Sequence, residues 1–233
     1  VLMTAVPARV AGVAEVFLCV PPGPDGRVAD VTLAAAAVAG VDAVYAVGGA
    51  QAVAAMAYGT ASIPAVDVIA GPGNVYVALA KREVAGHVGV PSAFAGPSEV
   101  VVVADSTVPT AFAAIDIVVQ AEHGPGGLAW LITWDEEVSD AIEAEVDRIV
   151  AAAPRRDDIT ATLDDAGWSV LVDGPDEALA VADAIAPEHL QLMVADAGDL
   201  SERVRNAGAV FCGPWTPASL GDYVAGPSHV LPT

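Results

Sequence analysis

The sequence predicts an α/β protein of two lobes, with mostly parallel sheets flanked by helices in an incomplete Rossmann-like topology. Short apolar segments of strand length alternate with helix-like segments of ~10–15 residues, which is the pattern of βαβ units. Most of these strand-like segments are continuously apolar, as expected of strands buried on both faces of a parallel sheet. Hydrophobic residues make up 55% of the 233 residues and aromatic residues only 5%. The predicted core therefore consists mainly of Ala, Val, Ile and Leu.

The first half of the chain predicts three strands, each followed by a helix. The strands are expected at 13–20, 43–47 and 66–70. The helices are expected from Asp30 to about Gly40, from Gly48-Gly49 to about Tyr58, and from Asn74 to about Val84. Asp30 and Asn74 are predicted N-caps, because their side-chain oxygens can accept a free N–H of the first turn.

The second half of the chain repeats this alternation. Strands are predicted at 100–104, 128–133, 170–172 and 190–194, with a last strand at Val210 and Phe211. Helices are predicted from Thr107 and Pro109 toward Gly124, at 136–152, within 155–166, at 176–185 and at 200–206. A lobe boundary is predicted near Phe94 to Pro97, which gives lobes of 1–97 and 98–233.

Charge and apolar run lengths exclude several classes of protein. The net charge is −21, from 30 acidic and 9 basic residues, so nucleic acid and anionic membranes are poor partners. No run reaches the ~18–20 apolar residues of a membrane span, and no signal-peptide pattern opens the chain, so a cytoplasmic location is expected. Two cysteines do not form a disulfide framework. Neither end resembles a natural terminus.

A metal site is one interpretation of the helix that precedes Gly124. Asp116, Gln120 and His123 are spaced i, i+4 and i+7, so they are expected on one helix face. Imidazole and oxygen donors together suit zinc and related ions. The structural alternative is a histidine favoured by the helix dipole, beside a glutamine on a wet stripe.

Three further polar positions have a functional and a structural interpretation. Glu188-His189 lies between a helix and a strand and is either an acid–base pair or an ordinary polar loop. Asp222 is either a hard oxygen ligand for the same ion as His123 or part of a surface turn. Ser98 either binds a substrate or closes the turn before its strand.

The loop Gly71-Pro72-Gly73-Asn74 joins a predicted strand to a predicted helix. Free N–H groups and the helix dipole favour an anion such as a pyrophosphate at this position. Neither this loop nor Gly48-Gly49-Ala50-Gln51 has the Gly-x-Gly-x-x-Gly fingerprint. A phosphate-binding Gly-Lys-Ser/Thr motif is absent from the sequence, which argues against NTP hydrolysis. His87 is expected to be structural.

Eight segments in order resemble the histidinol dehydrogenase family, over residues 7 to 233. They are Val-Pro-Ala-Arg-Val-Ala-Gly-Val at 6–13, Val-Gly-Gly-Ala-Gln-Ala at 47–52, Gly-Pro-Gly-Asn at 71–74, Ala-Gly-Pro-Ser-Glu-Val at 95–100, Gln-Ala-Glu-His at 120–123, Ala-Pro-Glu-His-Leu at 186–190, Asn-Ala-Gly-Ala-Val-Phe at 206–211 and Leu-Gly-Asp-Tyr-Val-Ala-Gly-Pro-Ser-His-Val-Leu-Pro-Thr at 220–233.

The resemblance implies a zinc enzyme that oxidises L-histidinol to L-histidine through the aldehyde, using two NAD in turn. It implies an NAD-side Rossmann-like lobe over 1–97 and a zinc- and substrate-side lobe over 98–233. By resemblance, Glu188 and His189 are the acid–base pair. The other implied contacts are Gln120, His123 and Asp222 to zinc; Ser98, Gln120, His123, His189 and Asp222 to substrate; and Gln51 and Asn74 to NAD.

The resemblance also implies parts that this chain does not contain. The family has a zinc-binding His and a substrate-binding Glu in a C-terminal segment that serves the partner subunit of a homodimer, and an N-terminal part with a Tyr that contacts NAD. Without them the 233 residues alone are expected to be weakly active or inactive. The rival interpretations are a related zinc and NAD dehydrogenase for another alcohol or a sulfonated diol, and a truncated, non-catalytic nucleotide-binding module.

Overall fold

The structure of the protein is a computed structural model, which describes residues 1–91, 98–124 and 126–223, apart from the side chains of Asp222 and Tyr223. The chain divides into two compact units, with residues 1–91 in the first and the described residues 98–221 in the second. The lobe boundary predicted near Phe94 to Pro97 lies outside the described residues and stays a prediction.

The first unit is mainly helical, with a small parallel sheet. Strands β1 and β2 pair in parallel, with Phe17 opposite Ala43. A core of Val53, Ala57, Ile69, Val84 and Val88 packs between the later helices. The elements are α1 (Leu2–Val10), β1 (Phe17–Cys19), α2 (Asp30–Val38), β2 (Ala43–Tyr45), α3 (Gly49–Tyr58) and α4 (Val75–Val84).

The second unit alternates strands and helices around one parallel sheet. Its elements are β3 (Glu99–Ala104), α5 (Thr110–Ala121), β4 (Leu128–Thr133), α6 (Glu136–Ala152), α7 (Arg156–Ala166), β5 (Gly167–Leu171), α8 (Pro175–Ile185), β6 (His189–Met193), α9 (Ala197–Ser201) and β7 (Ala209–Cys212). Helix α10 (Ala218–Tyr223) follows β7.

The five strands of the second unit lie in the order β5-β4-β3-β6-β7, and every pairing is parallel. Counted from β3, this is the order 3-2-1-4-5 of doubly wound nucleotide-binding sheets. The Rossmann-like strand order therefore occurs in the second unit. The predicted α/β class, with parallel sheets flanked by helices, is confirmed.

Helices cover both faces of this sheet, and the side chains of β3 alternate between the two cores that result. Val100 and Val102 pack on one face against α5, α6 and α7, and Val101 and Val103 pack on the other against α8 and α9. All four valines are at most 1% exposed. The continuous valine run of β3 follows from burial on both faces.

Helix α6 shows how the local sequence positions an element on the sheet. The Asp135 side chain caps it by accepting the N–H groups of Glu137 and Val138, at 3.0 and 3.3 Å. Val138 and Ile142, spaced i and i+4, are buried on the face toward the sheet. An N-cap and one apolar stripe thus fix where this helix starts and how it packs.

Some local predictions were wrong. Residues 66–70 do not form a strand, since only Val68 makes an isolated bridge, with Gly89. Asp30 is the first residue of α2 and not its cap, because Ala29 occupies the cap position and the helix has no side-chain cap bond. Helix α9 lies at Ala197–Ser201, several residues before its predicted position, and α1 was not predicted.

The predicted cap of α4 is confirmed, since the Asn74 side chain accepts the N–H of Val77 at 3.1 Å. We expect Asn74→Ala to lower the free energy of unfolding by about 1 kcal/mol, because an N–H of the first turn loses its acceptor. Urea denaturation measures this change. Asn74→Ser is the matched control, because serine caps about as well as asparagine. An equal loss in both variants would show that the cap bond does not stabilise α4.

Within the described residues, no helix combines the length and the apolar character needed to cross a membrane.

Candidate active site

Five polar residues predicted from the second half of the chain lie toward the amino edge of the five-stranded sheet. They are Ser98, Gln120, His123, Glu188 and His189. Glu99 begins β3 and His189 begins β6, and these strands are neighbours in parallel register. Helix α5 runs back from the carboxyl end of β3, so Gln120 and His123 approach the same edge before β4 starts. Adjacent strands lie about 5 Å apart, so the starts of β4 and β6, on either side of β3, are about 10 Å apart.

Two glutamates face each other across the β3–β6 pair. Val100 lies opposite His189 in the register, which places Glu99 beside Glu188. The N–H of Glu99 donates to Glu188 Oε2, and the N–H of Glu188 donates to Glu99 Oε2, each at 3.3 Å. This reciprocal contact fixes the Glu188 carboxylate at the sheet edge.

His189 is buried, with 7% of its surface exposed. Its Nδ1 lies 2.9 Å from the carbonyl oxygen of Glu99 and 3.4 Å from Glu188 Oε2. A carbonyl oxygen can only accept a hydrogen bond, so Nδ1 carries the hydrogen. In the neutral ring Nε2 is then the basic nitrogen. The backbone of Glu99 therefore selects the tautomer that a general base at Nε2 requires.

The carboxyl group of Glu99 has a perturbed pKa. Burial raises the pKa of Glu99, and the neighbouring Glu188 carboxylate adds to that rise. The N–H of Glu188 and the imidazole of His189 oppose it by favouring the charged form. Paired acidic groups with a histidine, in a partly dry site, are typical of acid–base chemistry.

Gln120 and Ser98 meet at Gly127, on the other side of β3. The Ser98 carbonyl oxygen accepts the N–H of Leu128 at 3.1 Å. A Cβ placed on Gly127 would lie 3.1 Å from that oxygen and 3.8 Å from Gln120 Nε2. Glycine at this position therefore leaves room beside the Ser98 carbonyl oxygen, whereas the distance to Gln120 Nε2 is an ordinary van der Waals separation.

Two of the residues predicted to bind a metal ion, Gln120 and His123, have the chemistry of metal ligands. Gln120 is 6% exposed, and its buried Nε2 has no hydrogen-bond partner among the described residues. Rotation of the terminal amide would put its oxygen, a metal donor, in that position. His123 is exposed, and its Nδ1 donates to the Val119 carbonyl oxygen at 3.0 Å. This bond leaves Nε2 as the lone-pair nitrogen, an arrangement common in metal-binding histidines.

The three residues expected on one face of α5 differ in their surroundings. Helix α5 ends at Ala121, so His123 lies in the turn that follows. Asp116 is half-buried, and within the part of the chain that the structure describes its Oδ2 has no hydrogen-bond partner. Burial raises the pKa of Asp116 to about 6. Asp116 and Gln120 lie within α5, and His123 follows the last residue of the helix by two positions.

The remaining predicted zinc ligand, Asp222, belongs to α10, and its side chain lies outside the described residues. Among the side chains that are described, three or more His, Cys, Asp or Glu residues do not come together as a metal-binding cluster. Zinc ligation by Gln120, His123 and Asp222 therefore stays a prediction.

The residues predicted to contact NAD lie in the first unit. Gln51 is exposed in the first turn of α3, and Asn74 caps α4 after the loop 71–74. Beneath this loop, the buried Lys81 donates from Nζ to the Gly71 carbonyl oxygen at 2.6 Å. Burial lowers the pKa of Lys81. The N-terminus of α4 and a lysine beside its loop suit an anionic group.

The sequence analysis did not single out Glu99 or Lys81, which contact or lie close to predicted site residues. Glu99 stands directly before four consecutive valines, and a charged residue at the mouth of a buried strand is a usable signal. Lys81 lies within an apolar helical segment. A period-3.6 analysis would have placed it among buried positions, where lysine is rare.

The comparisons with known proteins agree with one another. A sequence model described as histidinol dehydrogenase matches residues 1–233. The histidinol dehydrogenases of Moorella thermoacetica and Nitrobacter winogradskyi are each 52% identical over 233 residues, which cover 100% of this chain and 55% and 54% of theirs. The crystal structure of histidinol dehydrogenase from Elizabethkingia anophelis is 36% identical with a TM-score of 0.92, covering 100% of this chain and 53% of that one.

The match is complete for this chain and partial for its relatives. The chain spans about half the length of the curated relatives that it matches. With a family match over all 233 residues and the same fold as a solved relative, the chain belongs to the histidinol dehydrogenase family.

Proposed function

We propose that the protein is a zinc- and NAD-dependent dehydrogenase that oxidises L-histidinol to L-histidine through L-histidinal. The observation that carries this proposal is the part-buried Glu188 beside the buried His189, both held against Glu99 at the amino edge of the sheet in a chain of this family. A base with a fixed tautomer beside a carboxylate suits an alcohol oxidation followed by addition of water.

In this proposal His189 moves the proton of the alcohol. Its Nδ1–H donates to the Glu99 carbonyl oxygen, so Nε2 would accept the hydroxyl proton while a hydride leaves the carbinol carbon. When bound, zinc supplies Lewis acidity at the substrate oxygen and NAD accepts a hydride in each of the two oxidations. We propose Gln120, His123 and Asp222 as zinc ligands and Gln51 and Asn74 as NAD contacts.

Glu188 would act between the two oxidations. Its carboxylate would accept a proton from water as the water oxygen attacks the aldehyde carbon, and the hydrate so formed would lose the second hydride. One alcohol, one water and two NAD⁺ then give one carboxylate, two NADH and three protons. Ser98 would orient the substrate together with Gln120, His123, His189 and Asp222.

We further propose a homodimer, because the family resemblance implies that a partner subunit contributes to each site. Weak activity of the 233 residues alone and a cytoplasmic location also stay predictions.

The test measures NADH and histidine formed from L-histidinol with zinc and NAD supplied. Because the chain covers 55% of the Moorella thermoacetica relative, a chimera in which it replaces the matched segment of that protein supplies the remaining half. We expect two NADH for each histidinol consumed, and loss of activity after zinc is chelated. A chimera that binds zinc but oxidises only a sulfonated diol, or that binds NAD without turnover, would contradict the proposal.

A further inference from the structure

We propose that Glu99 is a positioning residue that holds the Glu188–His189 pair in its working geometry. The inference deepens the proposed function, on which its kinetic test rests. Glu99 is outside the set of residues to which the sequence resemblance assigned a role, and it contacts both members of the pair.

Glu99 makes three separate contacts with residues 188 and 189. Its N–H donates to Glu188 Oε2 at 3.3 Å, and its carbonyl oxygen accepts from His189 Nδ1 at 2.9 Å. Its carboxyl Oε2 accepts the N–H of Glu188 at 3.3 Å. The first two contacts come from the Glu99 backbone, so its side chain acts by holding the N–H of Glu188, one residue before His189.

The acceptor oxygen of Glu99, and not its charge, is the part that this role requires. Burial and the nearby Glu188 carboxylate raise the pKa of Glu99, which makes the charged form less favourable there. A charged carboxylate, a neutral carboxyl group and an amide all carry an oxygen that can accept the N–H of Glu188. Positioning therefore depends on the length of the side chain and on its oxygen.

Two conservative variants distinguish the effect of the length of the Glu99 side chain from the effect of its charge. Glu99→Asp keeps the charge but withdraws the acceptor by one methylene, and Glu99→Gln keeps the reach and the acceptor without the charge. For histidinol oxidation by the zinc-loaded chimera with the Moorella relative, we expect Glu99→Asp to lower kcat by about 10-fold or more, with KM within about threefold. We expect Glu99→Gln to retain kcat within about threefold. Glu202→Ala, at an exposed position, is the control.

A second measurement does not depend on turnover. Imidazole ¹⁵N chemical shifts report which nitrogen of His189 carries the hydrogen, and amide exchange reports the N–H of Glu188. We expect the Nδ1–H form and slow exchange in wild type and Glu99→Gln. In Glu99→Asp we expect exchange at least about 10-fold faster and a mixture of the two tautomers.

Two kinetic results would contradict the positioning role of Glu99. Full kcat in Glu99→Asp, or an equal fall in both variants with unchanged His189 and Glu188 signals, would overturn the positioning role. If wild type and chimera bind zinc but form no NADH from histidinol, the proposed function fails. The spectroscopic comparison then still decides whether Glu99 fixes the pair.

Discussion

Replacing His189 by asparagine is expected to lower kcat for histidinol oxidation by about 10²- to 10⁴-fold, the usual contribution of a positioned acid–base group. The asparagine amide can still donate to the Glu99 carbonyl oxygen, as Nδ1 of His189 does at 2.9 Å. It carries no basic nitrogen at the position of Nε2. The variant therefore keeps the packing contact and removes the group that accepts the hydroxyl proton.

Steady-state NADH formation from L-histidinol in the zinc-loaded protein, or in the chimera with the Moorella relative, measures this effect. His87→Asn is the matched control, because His87 is exposed in the first unit and contacts the Tyr58 ring, with centroids 4.7 Å apart. We expect the control to keep its kcat. If His189→Asn retained more than about a tenth of wild-type kcat with zinc bound, His189 would not be the base.

Much of the second unit was predictable because several of its elements have a local cause. The valine run of β3, the Asp135 cap of α6 and proline at the start of α8 each determine a type of structure from neighbouring residues alone. The strand order was not predictable in the same way. It depends on which strands pair, and sequence spacing does not specify that β6 joins β3 on the side away from β4.

The strand that was wrongly predicted in the first unit also depends on contacts between residues far apart in the sequence. Residues 66–70 are apolar enough for a strand, but they make only one bridge, at Val68. Strand formation depends on a partner at the right distance as well as on propensity. Conversely, the cap at Asn74 was predictable because its hydrogen bond joins residues three apart.

The candidate site was predictable as a set of residues but not as an arrangement. The Glu188–His189 pair and Gln120 could be named from the sequence, whereas the contact of Glu99 with Glu188 spans 89 positions. Doubly wound sheets commonly bind ligands at the carboxyl ends of their strands. At the carboxyl ends of β3 and β6, Asp105 connects the two segments, because its Oδ2 accepts the N–H of Ala195 at 3.0 Å. The Glu188–His189 pair, for which we propose acid–base chemistry, lies at the opposite edge.

Asp116→Asn is expected to raise the free energy of unfolding at neutral pH by about 2 kcal/mol. Burial raises the pKa of Asp116 to about 6, from an ordinary 3.8, and its Oδ2 has no hydrogen-bond partner. The folded state therefore holds the proton more tightly than the unfolded state does. As pH rises from about 4 to about 6 the unfolded chain ionises first, so stability falls across this window and then levels off. Two pH units correspond to about 3 kcal/mol, reduced here for partial solvent screening.

Asparagine has nearly the shape of aspartate and does not ionise, so the advantage of the variant should grow with pH. Urea denaturation with a zinc chelator present should show a gain larger by about 1 kcal/mol at about pH 7.5 than at about pH 5. Comparing the variant with wild type at each pH cancels every titrating group that the two proteins share. Asp140→Asn, at an exposed position on α6, should change the free energy of unfolding by less than about 0.5 kcal/mol. A destabilised Asp116→Asn protein at neutral pH would contradict this expectation.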